Sequence, residues 1–161
     1  MDALAQLTFA VQGALGRVVA AHDLSIASVR LLGILRDRHP AIRELATFLQ
    51  LDESSVTGLV DRAQERGLVA RTASTLDRRS VQVTITDAGQ DLIDRAQAAF
   101  EAEIAILVAD LNPTQRHRLS STASLIIAAD ARQRGFDIFN AGIDIFDAGS
   151  GAITHPAEGL A

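Results

Sequence analysis

The chain has 161 residues, 48% of them apolar, which is enough for one domain with a sizeable core and too apolar for wholesale disorder. Only 4% are aromatic, which argues against a base-stacking surface for single strands, and the lack of Cys excludes disulfides and thiolate metal sites. The net charge is −5 and every basic residue is Arg, but segment 25–85 has nine Arg against seven acidic residues and is the only positively balanced part.

The N-terminal segment 2–21 is predicted to be a helix, because its apolar residues follow helical spacing. It carries few charges, so we expect it to bury more than one stripe, against another subunit. His22 and Asp23 mark its end. We expect no apolar run long enough to span a membrane and no signal peptide, which fits a cytoplasmic protein.

Three shorter helices are predicted next, at Ser25–Arg36, Ala41–Leu49 and Asp52–Gly67. The Asp-Arg-His-Pro sequence 37–40 separates the first two. Only Gln50 and Leu51 separate the last two, and so short a connection is typical of a helix-turn-helix.

The helix Asp52–Gly67 has a start signal and a stop signal, since Asp52 is a good N-cap and Gly67 can adopt the left-handed conformation. Its apolar residues form a single stripe, made of Val56, Leu59, Val60 and Ala63. The opposite face carries short polar side chains. Two interpretations are open for this face: a DNA-reading surface, or an ordinary solvated face.

Two strands are predicted after this helix, at 68–72 and 81–85, where the second alternates apolar and polar residues. The polar segment 73–80 between them is basic at its far end. Two strands with a basic tip after a helix-turn-helix indicate a winged helix.

Two further helices are predicted at 86–110 and from Pro113 to about Arg134. The helices on both sides of the winged unit are too apolar for one winged module to cover, which predicts a homodimer. The remaining segment 136–161 repeats Asp-Ile-Phe and has four acidic residues and no Arg. It is interpreted either as an irregular tail packed on the dimer or as a disordered tail.

The ordered set of motifs in residues 25–93 resembles the MarR family of winged-helix transcription regulators. The matching pieces are Arg43-Glu-Leu-Ala46, Ser55-Val-Thr-Gly-Leu-Val-Asp-Arg62, Glu65-Arg-Gly-Leu-Val-Ala-Arg71, Asp77-Arg-Arg79 and Ile85-Thr-Asp-Ala-Gly89. The helices on either side agree with the family in layout only, and segment 136–161 has no counterpart.

The resemblance implies a mainly α (α+β) fold with about six helices and a two- to three-stranded wing sheet. We therefore divide the chain into an N-terminal dimerisation helix (1–24), a winged DNA-binding lobe (25–85), C-terminal dimerisation helices (86–135) and a tail (136–161).

The DNA-contacting residues that the resemblance implies lie mostly on the helix Asp52–Gly67. They are Ser54, Ser55, Thr57, Gly58, Arg62, Arg78, Arg79, Arg43 and Arg38. The hydroxyl groups suit base edges or phosphates, although capping is the alternative for them. Gly58 departs from relatives that carry a long basic residue there, which leaves base specificity open. For Arg62, the alternative to a phosphate or guanine contact is an ion pair on the helix surface.

The wing carries the strongest of these matches. Arg79 matches the family's minor-groove arginine and Arg78 its backbone-contacting neighbour, whereas the acidic Asp77 is expected to hold an Arg in place. For Arg43 and Arg38, a phosphate contact and a solvated surface charge are equally open.

The effector site is expected between the dimer helices and the winged lobe. Its candidate residues are Arg17, His22, Arg30, Thr57 and Arg71. For His22, a cation at a helix C-terminus is the favoured alternative. The four His are scattered, so no metal site is predicted, and no cofactor is expected.

The resemblance implies a homodimer that binds a pseudo-palindromic duplex operator and represses transcription until a small aromatic or phenolic anion releases it. The alternative is a winged-helix module for protein interaction or dimerisation without specific DNA binding, which the acidic residues of Asp52–Gly67 and Gly58 favour. An enzyme is not expected, since there is no phosphate loop and no catalytic triad pattern.

Overall fold

A computed structural model describes residues 2–73 and 81–134 of the chain. The elements in this part are, in chain order, α1 (Ala3–Ala21), α2 (Ile26–Leu35), α3 (Ile42–Leu49), α4 (Glu53–Glu65), β1 (Val69–Ala73), β2 (Val81–Ile85), α5 (Asp87–Leu107) and α6 (Pro113–Arg134). The predicted fold class is confirmed, with six helices and one two-stranded sheet in the described residues. The predicted helix 86–110 ends earlier than expected, because Val108 leaves helical geometry.

Four helices begin at N-capping residues, and one of these caps is Asp52, as the sequence predicted. Side-chain oxygens of Ser25, Asp52, Thr86 and Asn112 each accept a hydrogen bond from the backbone N–H three residues later, over 2.8 to 3.1 Å. Each cap satisfies one N–H that has no partner within its own helix. The helix starts are therefore fixed by local sequence.

The turn between α3 and α4 is tight because Gln50 adopts the left-handed conformation, with φ 55. Leu51 N–H then donates to the carbonyl of Ala46 over 3.0 Å. This turn packs α4 against α3 and directs one face of α4 to solvent.

The sheet is an antiparallel pair in which Val69 lies opposite Ile85 and Ala73 lies opposite Val81. Ala41 forms an isolated bridge with Gln82, and Val83 N–H donates to the carbonyl of Pro40 over 2.9 Å. This bridge is the third-strand contact that the prediction of a two- to three-stranded wing allowed.

The core lies in two clusters. The larger fills the space between α2, α3, α4 and the sheet, and its most buried large side chains are Leu31, Leu32, Ile34, Leu35, Leu45, Leu49, Ile93, Val56, Val60 and Val83. The smaller joins α1 to α5 through Ala14, Val18, Ala96 and Phe100. The lobe that carries α4 therefore has its own core, and a second contact layer ties it to α1.

The start of α5 is fixed against the end of α4 at a close backbone approach. An ideal Cβ on Gly89 would lie 2.1 Å from the carbonyl oxygen of Leu68, so only glycine fits. The Thr86 hydroxyl donates to the carbonyl of Gly67 over 2.6 Å, and its N–H donates to that of Leu68 over 3.1 Å. Gly67 has φ +71, which confirms its predicted left-handed conformation.

Helix α1 is long and apolar enough to span a membrane, by length and composition alone. The expectation that no apolar run is that long was therefore wrong for this helix. The cause is that Arg17 is its only charged residue. In the structure α1 buries Ala14 and Val18 against α5 and leaves Leu4 and Phe9 exposed.

The predictions for the wing tip and for tail 136–161 concern residues outside the described part. The proposed domain boundaries at 24, 85 and 135 stay predictions.

Candidate nucleic-acid interface

Helix α4 presents one buried face and one exposed face, as the sequence predicted. Its apolar stripe is buried, and Val56 and Val60 have no exposed area. Ser54, Ser55 and Thr57 are exposed at its first turns. The geometry therefore offers short hydroxyl side chains and the helix N-terminus to solvent.

The Asp52 carboxylate organises the first turn of α4. It accepts hydrogen bonds from the Ser54 hydroxyl over 2.5 Å, the Ser55 hydroxyl over 2.7 Å and the Ser55 N–H over 2.8 Å. These bonds hold the pKa of Asp52 far below its usual range, and the bond from the Ser54 hydroxyl contributes most to this shift. A fixed negative charge therefore occupies the positive end of the helix dipole, where a phosphate could otherwise bind.

The hydroxyl groups of this turn donate their protons to acceptors within the protein. Ser54 and Ser55 donate to Asp52, and Thr57 donates to the carbonyl of Glu53 over 2.7 Å. Their oxygens keep free lone pairs, which suit base amino groups such as those of cytosine and adenine. In this arrangement the three side chains act as acceptors and do not donate to phosphates.

The Arg62 guanidinium folds back along α4 across Gly58. Its Nη1 would lie 3.4 Å from a Cβ placed on Gly58, which is an ordinary van der Waals distance. Arg62 makes no ion pair or side-chain hydrogen bond within residues 2–73 and 81–134, and its neighbour Asp61 pairs with Arg71 instead. The surface ion pair considered for Arg62 is therefore absent from this part of the structure, and its charge is free to bind an anion.

The two arginines before α4 differ in their surroundings. Arg43 is exposed on α3, and no side-chain partner for it occurs among the described residues. Arg38 lies over the ring of Phe48, 5.5 Å from its centre, in a cation–π contact. Arg43 is thus available for a phosphate, whereas Arg38 already has a partner in the protein.

An open pocket of about 290 Å³ lies between the α1–α2 turn and α4. Leu31, Leu32, Leu59 and Leu68 give it an apolar floor. Its polar lining consists of Asp23, Ser25, Ser28, Arg62 and Arg66. An apolar floor lined by two arginines as well suits a small molecule that has both an apolar body and an anionic group.

A family model described as MarR family matches residues 22–80. The chain is 28% identical to the HTH-type transcriptional repressor MdtR of Bacillus subtilis, over 118 residues that are 73% of each protein. The crystal structure of a MarR family transcriptional regulator from Rhodococcus sp. RHA1 is 28% identical, with a TM-score of 0.62 over 76% of this chain and 88% of that one. Residues 22–80 therefore match the MarR family, and the fold of the chain is similar to that of a solved MarR family regulator. CouR from Rhodococcus jostii RHA1, solved with p-coumaroyl-CoA, is 29% identical, with a TM-score of 0.61 over 76% of this chain and 87% of that one.

These matches indicate a MarR-type DNA-binding transcription regulator, a class of proteins that are not enzymes. Its winged lobe is the α2–β2 unit described above. The wing residues Asp77, Arg78 and Arg79 lie outside the described residues, so their predicted roles stay predictions. No three His, Asp or Glu side chains come together as a metal site within residues 2–73 and 81–134.

Within residues 2–73 and 81–134, the structure shows the five effector candidates that the resemblance implies at separate contacts. Arg17 pairs with Glu103 over 2.5 Å, and this contact raises the pKa of Arg17 and lowers that of Glu103. His22 Nδ1 contacts the carbonyl of Val18 at the end of α1. Arg30 donates to the carbonyl of Phe48 over 3.4 Å.

The remaining two candidates are also engaged within the lobe. Arg71 pairs with Asp61 over 2.6 Å and donates to Gln64 over 2.9 Å, and the Thr57 hydroxyl is bonded within α4. None of the five lines the pocket beside α4. Sequence reasoning missed Arg66, Asp23, Ser25 and Ser28 as pocket residues, because nothing in the local pattern brings the α1–α2 turn to the end of α4.

Proposed function

We propose that the chain is a homodimeric repressor that binds a pseudo-palindromic duplex operator and is released by a small aromatic or phenolic anion. It acts in the cytoplasm, in contact with the chromosome. The observation that carries the DNA-binding part is the exposed face of α4. It combines acceptor hydroxyls with Arg62, which has no ion-pair partner among residues 2–73 and 81–134. In a helix-turn-helix this is the face that enters the major groove.

A second copy of the chain explains the apolar surface of the outer helices. Phe9 on α1 is 65% exposed, and on α6 Leu125 is 71% and Ile126 is 53% exposed. Isolated protomers rarely expose long apolar faces, and a symmetric partner can cover the same faces on both copies. A dimer also sets two α4 helices side by side, which supports a two-fold operator.

The effector class is supported by two observations. CouR, a similar protein, was solved with p-coumaroyl-CoA, which contains a phenolic ring. The pocket beside α4 has an apolar floor for a ring and Arg62 and Arg66 for an anionic group. Since Arg62 belongs both to this pocket and to the reading face of α4, a bound anion competes with DNA for its charge.

The proposal is tested by selecting bound sequences from random duplex DNA, then measuring affinity by fluorescence anisotropy at several salt concentrations. We expect a two-fold symmetric preference, and an Arg62→Ala variant that binds the selected duplex about tenfold more weakly. Arg95→Ala is the matched control, because it removes the same charge from the exposed surface of α5. Selected and random duplexes bound equally at moderate salt would contradict the proposal.

A second candidate is a winged-helix module that binds proteins. The ionised Asp52 at the front of α4 and the missing side chain at Gly58 favour it, because both reduce the attraction of α4 for DNA. It predicts that Arg62→Ala leaves DNA affinity at the level of Arg95→Ala.

A further inference from the structure

Arg66 joins the end of α4 to the turn between α1 and α2. Its Nη1 donates to the carbonyl oxygen of Asp23 over 2.6 Å, and its Nη2 lies 3.5 Å from the Asp23 carboxylate. The two residues are far apart in sequence, so this contact ties the DNA-reading helix to the segment that leads out of α1. Sequence patterns gave no role to either residue in this contact.

The turn that receives Arg66 has an unusual backbone. Asp23 has φ 51, in the left-handed region that residues other than glycine seldom adopt. Leu24 N–H donates to the carbonyl of Val19 over 2.8 Å, which closes the turn around Asp23. The carbonyl of Asp23 is thereby held in position to accept from Arg66.

The same contact forms part of the pocket wall. Arg66 and Asp23 both line the pocket beside α4, and so does Arg62. A carboxylate that enters the pocket can accept two parallel hydrogen bonds from one guanidinium. The Asp23 carboxylate is 98% exposed and lies 3.5 Å from Arg66, and an exposed ion pair at this distance is weak. A carboxylate bound in the pocket is therefore a stronger partner for Arg66 than the Asp23 carboxylate is.

We propose that Arg66 is a positioning residue that latches α4 to the α1–α2 turn in the DNA-binding arrangement, and that an anionic effector unlatches it by binding the same guanidinium. The latch rests on the proposed function, because it names how the effector pocket acts on the reading helix. Arg66 then works through the placement of α4 and does not need to touch DNA.

The sign of one substitution separates a latch from a simple charge effect. Asp23→Asn removes a negative charge and keeps a residue that tolerates the left-handed conformation. Electrostatics alone predicts tighter DNA binding by this variant. The latch predicts no gain, because losing the carboxylate contact with Arg66 offsets the removed charge while the Asp23 carbonyl still accepts from Arg66. Asp61→Asn is the matched control, since Asp61 pairs with Arg71 inside the winged lobe and removing it changes the charge by the same amount.

The measurement is anisotropy of the selected duplex with the full chain, without ligand. We expect Arg66→Gln to bind about tenfold more weakly, Asp23→Asn to bind no more tightly than the wild type, and Arg66→Lys to recover part of the loss. Asp61→Asn is expected to bind as tightly as the wild type or more tightly. Amide hydrogen exchange at residues 62–68 and 22–25 should speed up in Arg66→Gln and not in Asp61→Asn.

The effector arm uses salicylate and p-coumarate as probes. A probe that releases wild-type protein from the duplex should have little further effect on Arg66→Gln, which is already unlatched. If Asp23→Asn binds more tightly than the wild type and Arg66→Gln responds normally, the latch is wrong.

The two proposals fail in different ways. Wild-type protein that binds selected and random duplexes equally would refute the proposed function. Hydrogen exchange at residues 62–68 and 22–25 would still show whether the contact between Arg66 and the turn holds α4 in place. Wild-type protein that binds the duplex but ignores both probes would contradict the effector class, and the ligand-free Asp23→Asn result would still decide the latch.

Discussion

Gly89 is the position where a single added methyl group should do most damage to the link between the winged lobe and α5. A Cβ there would meet the carbonyl oxygen of Leu68 at 2.1 Å and Cγ1 of Ile85 at 2.9 Å. Real contacts of this kind are at least 3.0 Å, so the junction must open by about 1 Å. The obstacle is backbone and cannot rotate away as a side chain could.

The loss in free energy of unfolding caused by Gly89→Ala follows from this geometry. Overpacking of a tight site typically costs 1–3 kcal/mol, and a backbone obstacle puts this site at the upper end, about 3 kcal/mol. For a domain of this size, each kcal/mol shifts the melting temperature by roughly 2–4 °C. We therefore expect Gly89→Ala to melt about 6–12 °C lower than the wild type.

The assay is urea and thermal unfolding by circular dichroism at one fixed protein concentration, since the stability of a dimer depends on concentration. Gly16→Ala is the matched control: it lies on α1 with nothing within 4 Å of its added Cβ. Alanine is the better helix former, so this variant should gain about 0.5–1 kcal/mol. Equal unfolding midpoints for the two variants would refute the argument about the Leu68 carbonyl.

Three further changes test the caps and the dimer. Asp52→Asn should lower the free energy of unfolding at neutral pH and not in strong acid. The pKa of Asp52 is lower in the folded than in the unfolded protein, so its charge stabilises the fold above the unfolded pKa and this stabilisation is lost as pH falls. Unfolding of both proteins at the two pH values would show the difference. Thr86→Ala should cost roughly 1–2 kcal/mol in urea unfolding, because it removes the bonds to Gly67 and Gly89, whereas Thr86→Ser should not. Ile126→Glu should shift the protein to monomer, as measured by light scattering. Ile26 has the same 53% exposure but lies on the winged lobe, so Ile26→Glu should leave the dimer intact. Equal effects of the two substitutions would count against α6 as the interface.

Features set by nearby residues were predictable from the sequence. The caps at Ser25, Asp52 and Thr86 bond to N–H groups only three residues away, so their side-chain chemistry is enough to place them. The buried stripe of α4 follows from helical spacing in the same way. These elements can therefore be placed along the chain without reference to any long-range contact.

Features that depend on distant partners were not predictable. Gln50 and Asp23 take left-handed conformations that their residue types only weakly favour, and the tertiary fold imposes them. The effector role of Arg71 stays a prediction, and its local sequence does not show that its place on β1 brings it to Asp61 on α4. A sequence pattern shows which side chains are charged, and the fold decides which of those charges neutralise each other.

This distinction explains how an acidic chain can have a DNA-binding surface. On α4 the charge of Asp61 is offset by Arg71, while the described structure leaves Arg62 on α4 and Arg43 on α3 without a partner. Long-range attraction falls off within about 10 Å at ordinary salt, so the net charge of −5 matters less than the free charges at the contact. A few well-placed arginines in each copy of the proposed dimer then have to hold the DNA, which makes the position of α4 decisive. That is why a contact such as the one between Arg66 and Asp23, which only positions the helix, is expected to change affinity as much as losing an arginine that touches DNA.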